Sequence, residues 1–155
     1  MEPPSPILTQ APLDAAALAD LRREVADPAA GAVLVFEGTV RDHSDGIEDV
    51  IALEYEAQAS MAAKIIAAIV AETRAEIPVR KIAVRHRLGR VELGEATIVI
   101  AVSAGHRDEA YRASRAIIDR IKHEAPIWKR EILRNGTSAW SRGCVAHQEK
   151  SQNEK

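Results

Sequence analysis

The spacing of apolar residues divides the chain into helical and extended segments. In "DAAALADLRREVAD", Leu18, Leu21 and Val25 recur at the three-to-four-residue interval of one helix face. Asp14 stands where a side-chain oxygen can accept the free N–H groups of the first turn, Leu13 and Leu18 hold the two staple positions, and Pro28 closes the segment. "GAVLVFEGTVRD" predicts a strand bounded by Gly31 and the "HSDG" turn region. "DVIALEYEA" predicts a second, with Ile51, Leu53 and Tyr55 alternating with Ala52, Glu54 and Glu56. Being neighbours in sequence, joined by a polar loop around residues 44–48, the two are expected to pair as a hairpin. "SMAAKIIAAIVAETRAEI" predicts a helix whose broad apolar face includes Met61, Ile65, Ala68 and Ile69, with Ser60 as its cap and Pro78 as its stop.

In the second half, Ile82, Val84, His86 and Leu88 alternate with Ala83, Arg85 and Arg87, which reads as a strand. "ATIVIAVSA" is almost wholly apolar, as expected of a central strand, and the intervening "GRVELGE" carries two glycines suited to a bulge or sharp corner. "HRDEAYRASRAIIDRIKHEA" predicts a long helix buried through Ala110, Ala113, Ile117 and Ile121; Pro126 disfavours helical geometry at Ala125 and ends it. "IWKREIL" and "TSAWSRG" read as a strand and a short strand. Paired strands adjoin in sequence, so the expected fold is α+β, a largely antiparallel sheet with three main helices. A single domain is expected over 7–142, with a flexible proline-rich stretch at 1–6 and a polar, disordered tail at 143–155.

Composition narrows the function classes. At 155 residues the chain is long enough for one real core, and with aromatics at only 3% that core is aliphatic. A formal net charge of −2 argues against a general nucleic-acid binder but leaves room for a local anion site. Cys144 is the only cysteine, so no internal disulfide forms, and a lone cysteine is most often an inert small hydrophobe. The N-terminus has no basic region followed by an apolar run, and no stretch is long and apolar enough to span a membrane, so a cytoplasmic location is expected. The five histidines show no metal-ligand spacing, and no phosphate-binding or dinucleotide-binding glycine motif occurs; neither metal nor nucleotide cofactor is expected.

Candidate chemistry lies in three places. "KHEAPIWKRE" sets Lys122 and Lys129 seven residues apart around a rigid proline turn. A helix-end cation, favoured by the macrodipole, accounts for Lys122 alone and explains Lys129 less well. In an alternating strand Ile127, Lys129 and Glu131 share one face and Trp128, Arg130 and Ile132 the other; if Trp128 packs inward, Lys129 points away from the core. Two lysines near each other suit acyl chemistry or anion binding, since desolvation or a second cation turns lysine into a nucleophile or base. "AGHRDEAYR" places His106 and Arg107 where a buried strand enters a helix, a position that favours phosphate or carboxylate. "GTVRDH" puts Arg41 at a strand end beside a loop carrying His43. "RKIAVRHRLGR" has five Lys/Arg and one His in eleven residues, but without aromatic interleaving it reads as a solvated sheet face or partner contact rather than a nucleic-acid site.

Four stretches together resemble the large, catalytic subunit of molybdopterin synthase, the MoaE family: "GAVLVFEGTVRDH", "LEYEAQASMAAKII", "VRHRLGRVELGEATIVIAVSAGHRDEAYRA" and "KHEAPIWKRE". The resemblance spans roughly residues 31–140, and its most specific parts are "HRLGRVELGE", "SAGHR" and "PIWKRE" with a lysine four residues before the proline. It implies an α/β-hammerhead fold and insertion of two sulfurs into cyclic pyranopterin monophosphate to form the dithiolene of molybdopterin. It implies a small ubiquitin-like sulfur-carrier subunit whose C-terminal Gly-Gly tail brings each sulfur as a thiocarboxylate. It also implies a central dimer of two large subunits with one carrier at each end. This chain ends in "QNEK", so it resembles the acceptor of the carrier tail rather than the sulfur source. By resemblance, Lys122 is the active-site lysine beside the carrier tail and Lys129 the second lysine, serving substrate and proton transfer. His106 and Arg107 match the anion-binding pair, Arg41 a pocket arginine with Thr39 lining the site, and Arg130 and Glu131 complete the motif of Lys129. Some of these act across the dimer in the family. Some members carry lysine where this chain has Thr39, and "SRG" after Trp140 departs from the usual pattern. The alternative expectation is a non-catalytic module that grips a ubiquitin-like tail or a phosphorylated ligand.

Overall fold

The structure, a computed structural model, describes residues 6–141. Its elements follow in the order β1 (Leu8–Thr9), α1 (Ala15–Glu24), β2 (Ala32–Thr39), β3 (Val50–Ala57), α2 (Ala59–Glu76), β4 (Lys81–Arg87), β5 (Gly89–Glu92), β6 (Ala96–Ala104), α3 (Arg107–Glu124), β7 (Ile127–Leu133) and β8 (Ser138–Ser141). The strands form two four-stranded sheets, β1-β4-β6-β2 and β5-β3-β7-β8. Among the described residues only β1 and β4 pair in parallel; the other pairings are antiparallel. The fold is α+β, as the element pattern implies, but with two sheets where one was expected.

The hairpin expected of β2 and β3 does not form. β2 pairs with β6, Ala32 opposite Ala104 through Gly38 opposite Ile98, whereas β3 pairs with β5 and β7. The cause lies in β6, all nine of whose residues are buried. A strand covered on both faces belongs in a sheet interior and needs hydrogen-bonded neighbours on both edges. β4 satisfies one edge and β2 the other, so β2 is drawn from its sequence neighbour and the loop after it crosses to the second sheet. The return crossing is made at Gly89, whose φ of +80° is a left-handed turn that suits glycine, and the corner expected in "GRVELGE" is this exit from β4 into β5 of the other sheet.

Helices cover both faces of the first sheet. On one, Ile66 and Ile69 of α2 and Ile117 and Ile121 of α3 pack with Val84, Ile98, Ile100 and Val102. On the other, Leu21 and Val25 from α1 and the residue after it meet Ala83, Val99 and Ala101. The buried stripe of α3 is the one its sequence predicts. That of α2 is turned by about one residue: Ala62, Ile66, Ile69 and Thr73 are buried, while Met61 and Ala68 face solvent. Thr73 takes the fourth core slot because its hydroxyl donates to the Ile69 carbonyl at 2.7 Å, a local bond invisible to a hydrophobic pattern. The N-cap of α2 is Gln58, without a side-chain cap bond, rather than Ser60. No helix among the described residues is long and apolar enough to cross a membrane.

The cap of α1 is as expected: the Asp14 carboxylate accepts from the Ala17 N–H at 3.0 Å. Asp14→Ala is expected to cost about 1 kcal/mol. In a chain of this size that lowers Tm by roughly 2–4 °C, and an unchanged melting curve would show the cap to be energetically idle.

Candidate active site

A cavity of about 340 Å³ opens where the end of β2, the last turn of α3 and the start of β7 converge on the gap between the sheets. Volumes near this are typical of small-molecule sites. The proline turn explains how two lysines seven residues apart both reach it. α3 ends at Glu124, Ala125 is extended (φ −75°, ψ 130°) as a residue before proline prefers, and the chain doubles back into β7. Lys122 enters from the helix side and Lys129 from the strand side.

β7 also settles which of its faces points inward. Ile127, Lys129 and Glu131 line the cavity, with Ile127 and Glu131 buried, whereas Trp128 lies on the opposite face beside Trp140. The inward Trp128 weighed from sequence is therefore not what forms. Ile127 joins the core cluster that contains Ile121 and Ala125, so the end of α3 covers this face of β7.

Thr39 at the end of β2 and Arg41 just after it reach the same cavity. The register of β2 on β6 slips between Gly38 and Thr39, a bulge that re-aims the strand end, and Thr97 fixes it by donating its hydroxyl to the Gly38 carbonyl at 3.0 Å. A Cβ on residue 38 would stand 2.9 Å from Cγ2 of Ile98, so glycine permits this approach. Arg41 follows the buried Val40 and is exposed at the mouth, as is His43, whose Nδ1 lies 2.7 Å from Asp42 Oδ1. The hydrogen bond from His43 holds the Asp42 carboxyl below its ordinary range.

The cavity is thus cationic. Arg41, Lys122 and Lys129 line it with one carboxylate, Glu131, and among the described residues neither Arg41 nor Lys122 spends its side chain on a hydrogen bond or ion pair. The basic run on β4 and β5 behaves differently. Arg80 pairs with Asp27, Arg85 with Glu24, Arg87 with Glu95 and Arg90 with Glu92, so those cations are matched locally.

Three residues singled out from the sequence lie elsewhere in the protomer. His106 and Arg107 start α3, and fifteen residues of helix separate Arg107 from Lys122, roughly 22 Å at the α-helical rise. His106 is the N-cap residue, without a side-chain cap bond. Arg130 is on the outward face of β7, ion-paired with Glu54 at 2.6 Å and 5.1 Å from the Trp140 ring centroid. Cys144 lies outside the described residues.

The cavity also holds His86, which the sequence presents as one of an alternating strand and of the basic run 80–90 rather than as a site residue. His86 is 7% exposed, and its ring edge meets Tyr55 with centroids 5.0 Å apart. Burial lowers its pKa to about 4. The usable signal was its place in line with Ile82 and Val84, the face of β4 that turns to the core.

The family model described as "MoaE protein" matches residues 8–124 of this chain. The chain belongs to the MoaE family. Relatives of this MoaE chain named molybdopterin synthase catalytic subunit include one from Thermoplasma volcanium, 49% identical over 121 residues (78% of this chain, 88% of that protein), and one from Nostoc sp., 40% identical over 134 residues (86% and 79%). Among solved structures, the molybdopterin synthase from Staphylococcus aureus superposes with a TM-score of 0.78 at 36% identity, covering 86% of this chain and 94% of that one. The molybdopterin biosynthesis MoaE protein from Burkholderia ambifaria gives 0.70 at 30% identity, covering 96% and 97%.

Proposed function

We propose that this MoaE chain is the catalytic subunit of a molybdopterin synthase, a sulfurtransferase that takes sulfur from the thiocarboxylated tail of a small ubiquitin-like carrier and places it on cyclic pyranopterin monophosphate. The observation that carries the reading is the convergence of Lys122, Lys129 and Arg41 on one cavity of small-molecule size. A phosphorylated substrate and a thiocarboxylate are both anions, and three donor-only side chains suit both. The thiocarboxylate sulfur bonds to a pterin-side carbon as that carbon's bond to oxygen breaks, the oxygen leaving as water or staying on the opened cyclic phosphate, and carrier and substrate are then joined as a thioester. Water cleaves the acyl–sulfur bond, the sulfur stays on the substrate, and the carrier leaves as a carboxylate. Lys122, at the open end of α3, stabilises the negative charge on the carrier carbonyl. Lys129, paired in position with Glu131, orients the substrate and moves protons. The deciding experiment incubates the chain with thiocarboxylated carrier and the cyclic pyranopterin and assays the dithiolene product; product supports the reading, and none with a carrier known to work overturns it.

His106 and Arg107 belong to this reading through a second copy of the chain. Too far from Lys122 in their own protomer, they serve the partner's cavity as its anion-binding pair. Mixing Lys122→Ala chains with His106→Ala/Arg107→Ala chains then regenerates about a quarter of the wild-type sites, since half of randomly formed dimers are mixed and one of their two sites is whole. Recovery from two inactive parents to that level is the expected result; no recovery in verified mixed dimers would remove the pair from the partner's site.

A further inference from the structure

His86 is a buried polar group in the cavity that the sulfur-transfer reading leaves unused. Its backbone is fixed on both sides: the N–H donates to the Ile7 carbonyl at 2.7 Å, and the residue pairs with Ile98 of β6. Its ring is fixed too. Nδ1 lies 2.7 Å from the Arg87 carbonyl oxygen, which only accepts, so Nδ1 carries the proton and donates. The Tyr55 ring, nearly perpendicular at 82°, holds the imidazole plane from the side. The remaining nitrogen, Nε2, therefore presents a lone pair, and among the described residues it has no hydrogen-bond partner.

The rest of the cavity makes such an acceptor valuable. Arg41, Lys122 and Lys129 only donate, and the Thr97 hydroxyl, its proton given to Gly38, offers only the weaker lone pairs of a neutral hydroxyl. Glu131 is the other strong acceptor, and it sits on β7 with Lys129. A phosphorylated pterin engages the donors through its phosphate, but its ring edge offers N–H groups that need acceptors when desolvated. We propose that Nε2 of His86 is the acceptor that receives a ring N–H of the pterin substrate, setting the heterocycle's orientation against Tyr55 and Ile98. This rests on the proposed sulfur-transfer reading and adds a specificity-determining residue to it. Burial keeps the imidazole neutral, so the acceptor persists well below neutral pH in spite of the cations around it.

Two measurements test this. In steady-state assays with thiocarboxylated carrier, His86→Leu is expected to raise KM for the pterin phosphate about tenfold, with His86→Gln, which keeps a side-chain acceptor, recovering most of the loss. In wild-type protein labelled with nitrogen-15, the unprotonated ring nitrogen of His86 is expected to shift upfield as pterin phosphate saturates the site. That measurement needs no variant to fold. An active wild type with KM unchanged in folded His86→Leu overturns the inference, as does an unmoved Nε2 resonance at saturation. Absence of product from the wild type overturns the sulfur-transfer reading instead, and the resonance then decides by binding alone whether Nε2 meets the ring.

Discussion

Lys122→Ala is expected to lower kcat by around 10²-fold or more, which is about 2.7 kcal/mol of transition-state stabilisation. The side chain stands in the last turn of α3 and faces the cavity without a hydrogen bond or ion pair to another described residue. Removing it leaves no buried partner unsatisfied, so the fold should be unaffected and Tm should stay near the wild-type value. On the proposed sulfur-transfer reading its loss falls on the chemical step, because the charge it would meet develops on the carrier carbonyl. Lys129→Ala is expected to raise KM as well as lower kcat, since in the proposed reading that lysine also orients the substrate. The double variant should be little worse than the poorer single one, as groups acting in one step are not additive. His123→Ala is the control: the same helix end, exposed and outside the cavity. If Lys122→Ala and His123→Ala have equal rates, Lys122 is a helix-end cation and nothing more.

What the sequence makes legible follows from how local each signal is. The Asp14 cap, the α3 stripe and the turn at Pro126 depend on residues within one or two turns, and all three stand in the structure as read. The central place of β6 was legible because nine consecutive buried positions have only one home in a sheet. The partition into two sheets was not, because β2 and β3 adjoin in sequence while the partners that claim them, β6 and β7, lie far along the chain. The inward face of β7 was ambiguous for a similar reason. Alternation separates Lys129 from Trp128, but only the end of α3, packed over Ile127, decides which is inside. His86 was half visible: the pattern put it on the core face, yet nothing local says that this face ends in a cavity. His106 and Arg107 show a different limit: the resemblance groups them with Lys122, but one helix sets them at its opposite end in the same chain.

The acid limb of the stability curve should carry the signature of His86. Its pKa is lowered from 6.5 to about 4 by burial, so between these values the unfolded chain binds a proton that the folded chain does not. Stability rises with pH wherever the unfolded state binds more protons. The contribution is therefore fully present above pH 6.5 and is lost as pH falls towards 4, at up to 1.36 kcal/mol per pH unit, or about 3 kcal/mol in all. Asp27, Asp42 and Glu124 also have lowered values, but they start from 3.8, 3.8 and 4.5, so the stability they lose on protonation falls at the bottom of this window and below it. Denaturant unfolding of wild type and His86→Gln between pH 7 and 4.5 separates the two. The substitution shifts the baseline by whatever packing it disturbs, but the difference between the two curves should close steadily as pH falls below 6.5, because the variant has no imidazole to protonate. Parallel curves across that range would mean that the folded protein binds the proton as readily as the unfolded chain, and that the imidazole does not sit neutral against the Arg87 carbonyl.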